Sequence, residues 1–457
     1  MILDKIYRNS PNFLQELMIS LYNIKAYNIR YGKNYRRLLK EYSIQHPIKA
    51  IEEIQERKFK DLVQYAAKHS PFYQRLFPQD VSGISIEQIG LLPIVNKEQI
   101  RQNLTEVYTI AKKKGVLSKT GGTTGKSLEV LYRPVDVEER FAILDNFRKA
   151  HGYKLGKRTA WFSGKTLLTP GDLNKYKFWK TDWIYKVRYY STFHIHPKNL
   201  TAYIANLIEY KPEYMVGFPS TMYEIAKFGR LNNLDFPKNT IKAIFPTAET
   251  VTSEIRAEIE AYFKTRMYDQ YASSEGAPFI FECSKRNLHL ELRSGVFEVL
   301  DENNQASKSG RLVVTSFTTY GTPLIRYDIG DTITLSDKVC DCGNANPLVE
   351  EISGRINDYI YSEEVGKINL GNISNCLKGV KGVLQFQIMQ NEVQAIHVNA
   401  VVDENIFDDS DQQKFIENLT ERVGTKMEIK FKRVDHIPVE KSGKYRLVKN
   451  NIHHFLK

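Results

Sequence analysis

The sequence predicts a multidomain α/β chain, with a large N-terminal domain over residues 1–353 and a small C-terminal α+β domain over residues 354–457. Three observations carry this prediction. The 457 residues are too many for one small domain. Between residues 100 and 290, short apolar runs alternate with helical patterns, which is typical of a sheet covered by helices. A polar, glycine-led break at residues 354–358 then sets off the last part of the chain.

Composition excludes several classes of protein. With 42% hydrophobic and 26% charged residues, the chain is an ordinary globular protein and not a disordered one. No apolar run approaches the roughly 18 residues of a membrane-spanning helix, and we identify no cleaved signal peptide. Four unevenly spaced cysteines are too few for a disulfide framework in a chain of this length. We therefore expect a cytoplasmic protein.

The net charge of +12 permits anionic partners but does not choose among them. Lysines and arginines are spread along the chain and form no recognisable nucleic-acid motif, so nucleic acid is not an expected partner. A solvated basic surface is the simplest interpretation. Peripheral contact with a membrane stays open.

The first 70 residues predict two or three amphipathic helices. Leu14, Leu17, Met18 and Leu21 recur at helical spacing, and we expect them to pack against the large domain. Further on, residues 159–162, 214–218, 241–245 and 266–271 are predicted strands with helices between them. After residue 283, the runs 296–300 and 312–317 predict antiparallel strands joined by a turn, within a small β unit over residues 283–342.

A loop rich in glycine and hydroxyl residues, Ser118 to Ser127, is the first candidate site. Its exposed backbone N–H groups and hydroxyls can wrap phosphate oxygens. The ending Gly125-Lys126-Ser127 fits the Walker loop of kinases and NTPases, but Thr120 stands where that motif needs glycine. An ordinary glycine-rich surface turn is the remaining alternative.

Polar residues also follow several predicted strands, where open α/β sheets place their ligand sites. These segments are Phe218-Pro219-Ser220, Ala248-Glu249 and Tyr271 to Glu275, which includes Ser274. A lone glutamate after a strand is most often a helix cap or a solvated turn residue. Glu275, in its hydroxyl-rich turn, could instead hold magnesium against phosphate oxygens.

Three charged residues further along the chain could complete a nucleotide site. Asp331 follows Gly330, and its carboxylate could accept hydrogen bonds from vicinal ribose hydroxyls; a solvated aspartate at a strand end is the alternative. Arg355 offers a guanidinium fork for phosphate or ribose oxygens. Lys444 lies in a predicted flexible turn, and the alternative for this residue, taken alone, is a solvated surface lysine.

Three thiols and an imidazole form a separate candidate metal site. Cys283 and His289 have C-x₅-H spacing, and Cys340 and Cys342 belong to a Cys-Asp-Cys-Gly turn. This set suits tetrahedral zinc and leaves no open position, so the metal would be structural. Free buried cysteines are the alternative. Cys376 stands apart and is predicted to be a core residue.

Taken in order, these segments resemble the motifs of the adenylate-forming superfamily of acyl- and aryl-CoA ligases. Within it the chain is most similar to the phenylacetate-CoA ligase group, especially its CapK-like proteins, which are often linked to capsular polysaccharide synthesis. The resemblance covers nearly the whole chain and includes Ser10 to Gln15 and Arg30-Tyr31-Gly32. It implies a large adenylating domain, a mobile C-terminal lid carrying the catalytic lysine, and relatives that often form homodimers and carry similar Cys/His sets.

The resemblance also implies a role for each matching residue. The ATP phosphates would meet Thr120, Gly121, Gly122, Thr123, Thr124, Gly125 and Lys126. Ala248 and Glu249 would border the adenine, Tyr271 would stack near it beside Ser274, and Asp331 would bind the ribose. Glu275 would hold Mg²⁺, Arg355 would assist at ribose or phosphate, Asn357 would be the hinge, and Lys444 would bridge the substrate carboxylate and the α-phosphate. Phe218, Pro219 and Ser220 would line the acid pocket.

Three positions depart from the family pattern. Gly122 replaces a usual serine, Ala272 a usual glycine and Asn357 a usual aspartate. None of these removes a charge that adenylation needs, although the first bears on phosphate affinity and the last on movement of the lid.

The resulting hypothesis is ATP-dependent, AMP-forming activation of a carboxylic acid, followed by acyl transfer to CoA or to an amine or hydroxyl on a saccharide or lipid precursor. Capsule or surface polysaccharide synthesis is the implied setting. Two alternatives stay open: a P-loop-type kinase or NTPase, and a nucleotide-binding, non-catalytic scaffold of a polysaccharide assembly complex.

Overall fold

A computed structural model describes residues 2–119, 128–165, 167–195, 197–355, 359–364, 366–369, 373, 375–377, 379–438 and 446–452. The α-helices in these ranges are α1 (Ile2–Asn9), α2 (Asn12–Arg30), α3 (Tyr35–Ser43), α4 (Ile48–His69), α5 (Pro71–Leu76), α6 (Lys97–Gln102), α7 (Leu104–Val107), α8 (Pro134–Ala150), α9 (Pro170–Leu173), α10 (Pro197–Tyr210), α11 (Pro219–Leu231), α12 (Ser253–Phe263) and α13 (Asp409–Val423). None of these helices is long and apolar enough to cross a membrane.

The strands of the large domain are β1 (Val116–Lys119), β2 (Glu129–Tyr132), β3 (Thr159–Ser163), β4 (Trp179–Asp182), β5 (Val187–Ser191), β6 (Tyr214–Gly217), β7 (Ala243–Pro246), β8 (Gln270–Ala272), β9 (Phe279–Glu282), β10 (Leu288–Leu290), β11 (Gly295–Leu300), β12 (Ser309–Ser316), β13 (Tyr327–Ser336) and β14 (Leu348–Arg355). Those that follow are β15 (Tyr359–Ser362), β16 (Gly366–Asn369), β17 (Val383–Glu392), β18 (Ala395–Val402), β19 (Glu428–Arg433) and β20 (Val448–Asn450).

A five-stranded sheet in the order β4-β5-β3-β6-β7 forms the α/β layer. The four strands β5, β3, β6 and β7 are parallel, and β4 pairs antiparallel at one edge. Their apolar runs are buried on both faces, because α10, α11 and α12 cover one face and α8 contributes to the other. Three of the strands predicted from sequence correspond to β3, β6 and β7.

The β unit is larger than expected. It is a seven-stranded antiparallel sheet in the order β11-β12-β13-β14-β10-β9-β8. The strand predicted at 266–271 is confirmed only at its end, in β8, and is wrong as a single strand, because the chain crosses between sheets within this run. The Tyr268 amide still bonds to Ile244 of β7, and two residues later Gln270 already pairs with Phe281 of β9.

The C-terminal part has the predicted α+β character. Its four-stranded sheet has the order β19-β18-β17-β20, and α13 buries Phe415, Leu419 and Val423 in the same core as that sheet. A hairpin of β15 and β16 precedes it. The domain boundary near residue 354 remains a prediction, and β14 itself continues to Arg355.

The N-terminal helices correct one expectation from the sequence. We expected the apolar positions of α2 to pack, but Leu17 and Leu21 are exposed and Leu14 and Met18 are only partly covered. The buried positions of α2 are mainly polar, namely Gln15, Glu16, Ser20 and Asn23 with Ile19 and Tyr27. The helix docks on β4 and the turn after it through these polar groups. Its mainly polar face is therefore buried, and much of its apolar face is exposed.

The centre of this docking is a buried ammonium group. Lys180 Nζ, on β4, donates to Asp172 Oδ1 and Asn12 Oδ1 at 2.7 Å each, and also to Gln15 Oε1. Burial lowers the pKa of Lys180, against the opposing influence of Asp172. Burial also disfavours ionised Asp172, but hydrogen bonds from Lys180 and Thr169 outweigh it and lower the pKa of that carboxyl.

We predict that Lys180→Met destabilises the protein by about 3 kcal/mol, because it leaves Asp172 buried without its cation. Urea unfolding measures this free energy. The matched control is Lys308→Met, which removes a pair with Asp337 whose side chains are 71% and 78% exposed; its effect should stay within about 0.5 kcal/mol. Equal effects of the two substitutions would contradict the anchoring role of Lys180.

Candidate functional site

The predicted phosphate loop connects two paired strands. β1 and β2 form an antiparallel hairpin whose last pair is Lys119 with Glu129, and Thr120 to Lys126 lie between them, outside the described residues. The hairpin is anchored close to the other candidate residues. The Leu131 amide donates to Thr322 Oγ1 at 2.7 Å, and the Tyr132 hydroxyl donates to the carbonyl oxygen of Ser274.

Tyr271 and Asp331, 60 residues apart in the chain, meet through their side chains. Tyr271 lies on the edge strand β8, and its hydroxyl donates to Asp331 Oδ2 on β13. Asp331 is only 8% exposed, and β13 places it opposite Arg355 of β14. The structure thus brings together three positions that the sequence assigned to one nucleotide site. For Arg355 this statement concerns the backbone alone.

The turn after β8 holds the candidate magnesium ligand in place. Ser273 Oγ donates to Glu275 Oε2 at 2.9 Å and accepts from the Glu275 amide at 2.9 Å. Gly276, at φ +90°, lets the turn approach the sheet closely, since an added Cβ would lie 2.4 Å from Thr319 Cγ2 and 2.6 Å from Ser316 Oγ. Glu275 is half-buried, with its carboxylate oriented by Ser273.

The ends of β6 and β7 supply the next part of the site. Phe218 and Pro219 are buried, and the Ser220 amide at the start of α11 donates to Glu249 Oε2 at 3.0 Å. Ala248 adopts φ +70°, a strained conformation for a residue with a side chain, which turns the chain directly after β7. Asn357 and Lys444 lie outside the described residues.

A cleft between the two lobes opens beside Ser220 and Glu249. It encloses about 130 Å³ and is lined from the large domain by α11 and α12 and from the C-terminal domain by residues around β17. Two side chains of α11 reach across it. Lys227 Nζ donates to the carbonyl oxygen of Val383, and Glu224 hydrogen-bonds Gln385.

Burial in this cleft raises the pKa of Glu224 to about 8, although Lys227 and Gln385 act in the opposite direction. Burial likewise lowers the pKa of Lys227. This pair is not among the site residues predicted from the sequence. Its signal was the polar face that Ser220, Glu224 and Lys227 form at helical spacing, immediately after a candidate pocket segment.

The four predicted zinc ligands converge. One ligand atom from each of Cys283, His289, Cys340 and Cys342 lies within 4.8 Å of the others. The Sγ atoms of Cys283 and Cys340 are 3.7 Å apart, which matches the separation of about 3.8 Å between thiolates bound tetrahedrally to zinc at about 2.3 Å. Cys342 Sγ lies 3.3 Å from His289 Nε2.

Hydrogen bonds with neighbouring residues orient these ligands towards a common metal position. His289 Nδ1 donates to the carbonyl oxygen of Asn346 at 2.9 Å, which leaves Nε2 facing the thiols. The side-chain Nδ2 of Asn287 donates to Cys340 Sγ at 3.1 Å. Donor chemistry and geometry therefore fit zinc, which would join β9 and β10 to the segment between β13 and β14. Cys376 is buried in the C-terminal core, as predicted.

Comparison with known proteins places these features in a wider group. The family described as the CapK C-terminal domain matches residues 360–451. The chain is 32% identical to Protein CapK of Staphylococcus aureus over 456 residues, which cover 99% of this chain and 100% of that one. It is 24% identical to phenylacetate-coenzyme A ligase of Thermus thermophilus over 329 residues, covering 69% and 72% of the two chains.

Among solved structures, a 2-hydroxyisobutyryl-CoA ligase in the postadenylation state, in complex with an acyl-AMP, has the same fold. Its TM-score is 0.70 at 18% identity, covering 91% of this chain and 92% of that one. The same ligase in the thioesterification state gives 0.55 at 16% identity and 91% and 93% coverage. The present structure therefore superposes better on the first of these two structures than on the second.

We predict that the purified protein carries about one zinc ion per chain and that Cys342→Ser removes it, since four ligands are needed to close the site. Elemental analysis measures the metal. Cys376→Ala is the matched control, because it removes the one cysteine outside the cluster and should leave zinc content unchanged. Wild-type protein without zinc, or a Cys342→Ser variant that keeps it, would refute the assignment.

A second prediction concerns pH. The folded pKa of Glu224, about 8, lies above its ordinary value of 4.5, so the folded state binds more protons and its stability falls as pH rises through this interval. Glu224→Gln cannot ionise. The stability of this variant relative to wild type should therefore increase between pH 5 and pH 8.5, as measured by urea unfolding.

The control for this measurement is Glu302→Gln, at an exposed turn. Its stability relative to wild type should not change over the same range. If Glu224→Gln behaves in the same way, the cleft does not raise the pKa of that carboxyl.

Proposed function

The chain belongs to the CapK family, within the adenylate-forming superfamily of phenylacetate-CoA ligase-like enzymes, and we propose that it activates a carboxylic acid as an acyl adenylate at the expense of ATP. The acyl group would then pass to CoA or to an amine or hydroxyl of a saccharide or lipid precursor. The observation that carries this proposal is the hydrogen bond from Tyr271 to Asp331. It joins the two motifs that the family resemblance assigns to the adenine and the ribose.

The nucleotide would extend from this pair in two directions. The ribose would lie at Asp331, next to Arg355 on the neighbouring strand, and the adenine near Tyr271, Ala248 and Glu249. The phosphates would lie towards the end of the β1–β2 hairpin and its loop, which Tyr132 ties to Ser274. Glu275 would then hold magnesium, which when bound neutralises phosphate charge.

The carboxylic acid would enter from the cleft between the lobes. Ser220 and Glu249 line that cleft at its large-domain side, and the buried residues Phe218 and Pro219 directly precede Ser220 in the chain. Attack of a carboxylate on the α-phosphorus brings two anions together, so loop N–H groups and the ammonium of Lys444 would offset their repulsion. Because Lys444 belongs to the C-terminal lobe, closing that lobe would complete the site.

Acyl transfer is the second half of the proposal. The mixed anhydride formed with AMP has a good leaving group, so a thiol, amine or hydroxyl can take the acyl group. CoA is the acceptor named for the ligases to which this chain is similar. An amine or hydroxyl acceptor in surface polysaccharide synthesis is supported by the family relationship to CapK.

The kinase alternative fits the hairpin poorly. A Walker loop follows a strand and opens a helix, so that the helix N-terminus meets the phosphates. Here the corresponding residues lead from β1 into the antiparallel strand β2. The scaffold alternative predicts nucleotide binding without turnover, and the experiment below separates it from the enzyme.

We predict that the protein with ATP, magnesium and a panel of carboxylic acids exchanges labelled pyrophosphate into ATP and forms AMP. Lys444→Ala should lower this exchange by at least about 100-fold, because it removes charge stabilisation of the transition state. Lys441→Ala, three residues away in the same segment, is the matched control and should keep near-wild-type activity. ADP as product would favour a kinase, and bound nucleotide without exchange across the panel would favour the scaffold.

A further inference from the structure

The outward face of α2 is an exposed apolar stripe. Phe13, Leu17 and Leu21 follow one another at intervals of four residues and are 66%, 45% and 55% exposed. Such spacing places them in line along one side of the helix. On the preceding helix α1, Ile6 is 50% exposed. Isolated exposed apolar side chains are ordinary in proteins, but an aligned set on one helix needs a partner.

This orientation is fixed by the polar face on the opposite side. Asn23 Nδ2 donates to Asp182 Oδ2 at 2.6 Å, and Glu16 accepts from Lys177 Nζ at 2.9 Å and from Trp183 Nε1 at 3.0 Å. Rotating the helix to bury its leucines would break these bonds and place apolar side chains against the buried carboxylate of Asp182, which would lose its hydrogen bond from Asn23. The stripe is therefore held outward by the docking of α2.

The turn between β4 and β5 extends the stripe with an aromatic residue. The backbone amide of Trp183 donates to Oγ of Ser20, the residue before Leu21, at 3.0 Å. Trp183 is nevertheless 63% exposed. Ile184 next to it is 48% exposed, and Tyr22 on α2 is 72% exposed. Tryptophan and tyrosine are the residues that favour the boundary between lipid and water.

In two segments of this surface, the exposed charges have one sign. In segments 5–30 and 174–186, which the structure describes without a gap, the acidic residues are Glu16 and Asp182, and both are buried. The exposed charged side chains there are basic: Lys5, Arg8, Lys25, Lys175 and Lys186. Two copies of this face would bring like charges together, whereas an anionic lipid surface would complement them.

We propose that this surface, defined by Phe13, Leu17, Leu21, Trp183 and Ile184 with its basic rim, binds the anionic headgroup region of a lipid bilayer. The apolar stripe enters the interface while the lysines contact lipid phosphates, as in other helices that lie in the membrane plane. α2 contacts the β4 edge of the five-stranded sheet, whereas Ser220 and Glu249 lie beyond β6 and β7. The candidate active site therefore stays accessible when the protein is bound.

Sedimentation with vesicles tests this proposal on the full chain. We expect binding to phosphatidylcholine vesicles containing about 30% phosphatidylglycerol, weakened at least about 10-fold without the anionic lipid or in about 0.5 M salt. The triple variant Phe13→Ser/Leu17→Ser/Leu21→Ser should lose at least about 10-fold in partitioning, and Lys25→Glu/Lys186→Glu should also bind weakly. Their melting temperatures should remain close to wild type, because the substituted side chains are exposed.

The matched control removes exposed apolar side chains elsewhere. Leu91, Leu231 and Ile406 are 62%, 41% and 43% exposed, and Leu91→Ser/Leu231→Ser/Ile406→Ser should bind vesicles like wild type. Equal loss in the control, or undiminished binding of the α2 variant, would overturn the proposal. Failure of the wild-type protein to bind anionic vesicles would also overturn it. If the wild-type protein is then a dimer and the α2 substitutions make it monomeric, the surface is an interface with a second copy of the chain.

Discussion

Backbone pairing in the seven-stranded antiparallel sheet is the constraint on which the candidate nucleotide site depends. It holds Asp331 opposite Arg355 and places β8 so that Tyr271 reaches Asp331. Side chains alternate between the two faces of a strand, so a slip of one residue in β13 would turn the side chain of Asp331 away from Tyr271. The same sheet carries His289 on β10 and the ends of β9 and β13 that approach the cysteine cluster. A metal at that cluster would thus stabilise the register of the sheet that bears the site.

Much of this architecture could be predicted from the sequence, and the reasons are physical. The runs that became β3, β6 and β7 are mainly apolar because parallel strands are buried on both faces. Polar residues directly after them, such as Ser220 and Glu249, follow from the way open sheets bind ligands at strand ends. The cysteine cluster could be predicted because so few residue types can bind zinc, even when they are far apart in the chain.

Other features depend on tertiary contacts that a local pattern does not contain. The pattern of α2 predicts burial of its leucines, but the buried ammonium of Lys180 and the carboxamide of Gln15 decide which side faces the sheet. The run at 266–271 has strand-forming residues, yet it divides its hydrogen bonds between two sheets. The pairing of Glu224 and Lys227 with the other lobe depends on how two domains meet, which neither domain encodes alone.

The cleft between the lobes links chemistry to movement. Glu224 and Lys227 bond β17 residues from a helix that begins at the candidate acid pocket. If the C-terminal lobe swings between half-reactions, as we propose, it must break these contacts and rehydrate both groups. The two groups therefore add to the stability of one arrangement of the lobes, and their protonation sets how strongly that arrangement is held.

The polar docking of α2 has a consequence for how the protein could use a membrane. Amphipathic helices that pack by their apolar face must detach before they can insert, so attachment to lipid competes with folding. Here the two surfaces are on opposite sides, since Asn23 and Glu16 face the sheet while Phe13 and Leu17 face outward. The helix can hold the domain and a bilayer at the same time, with no conformational switch and no loss of tertiary structure.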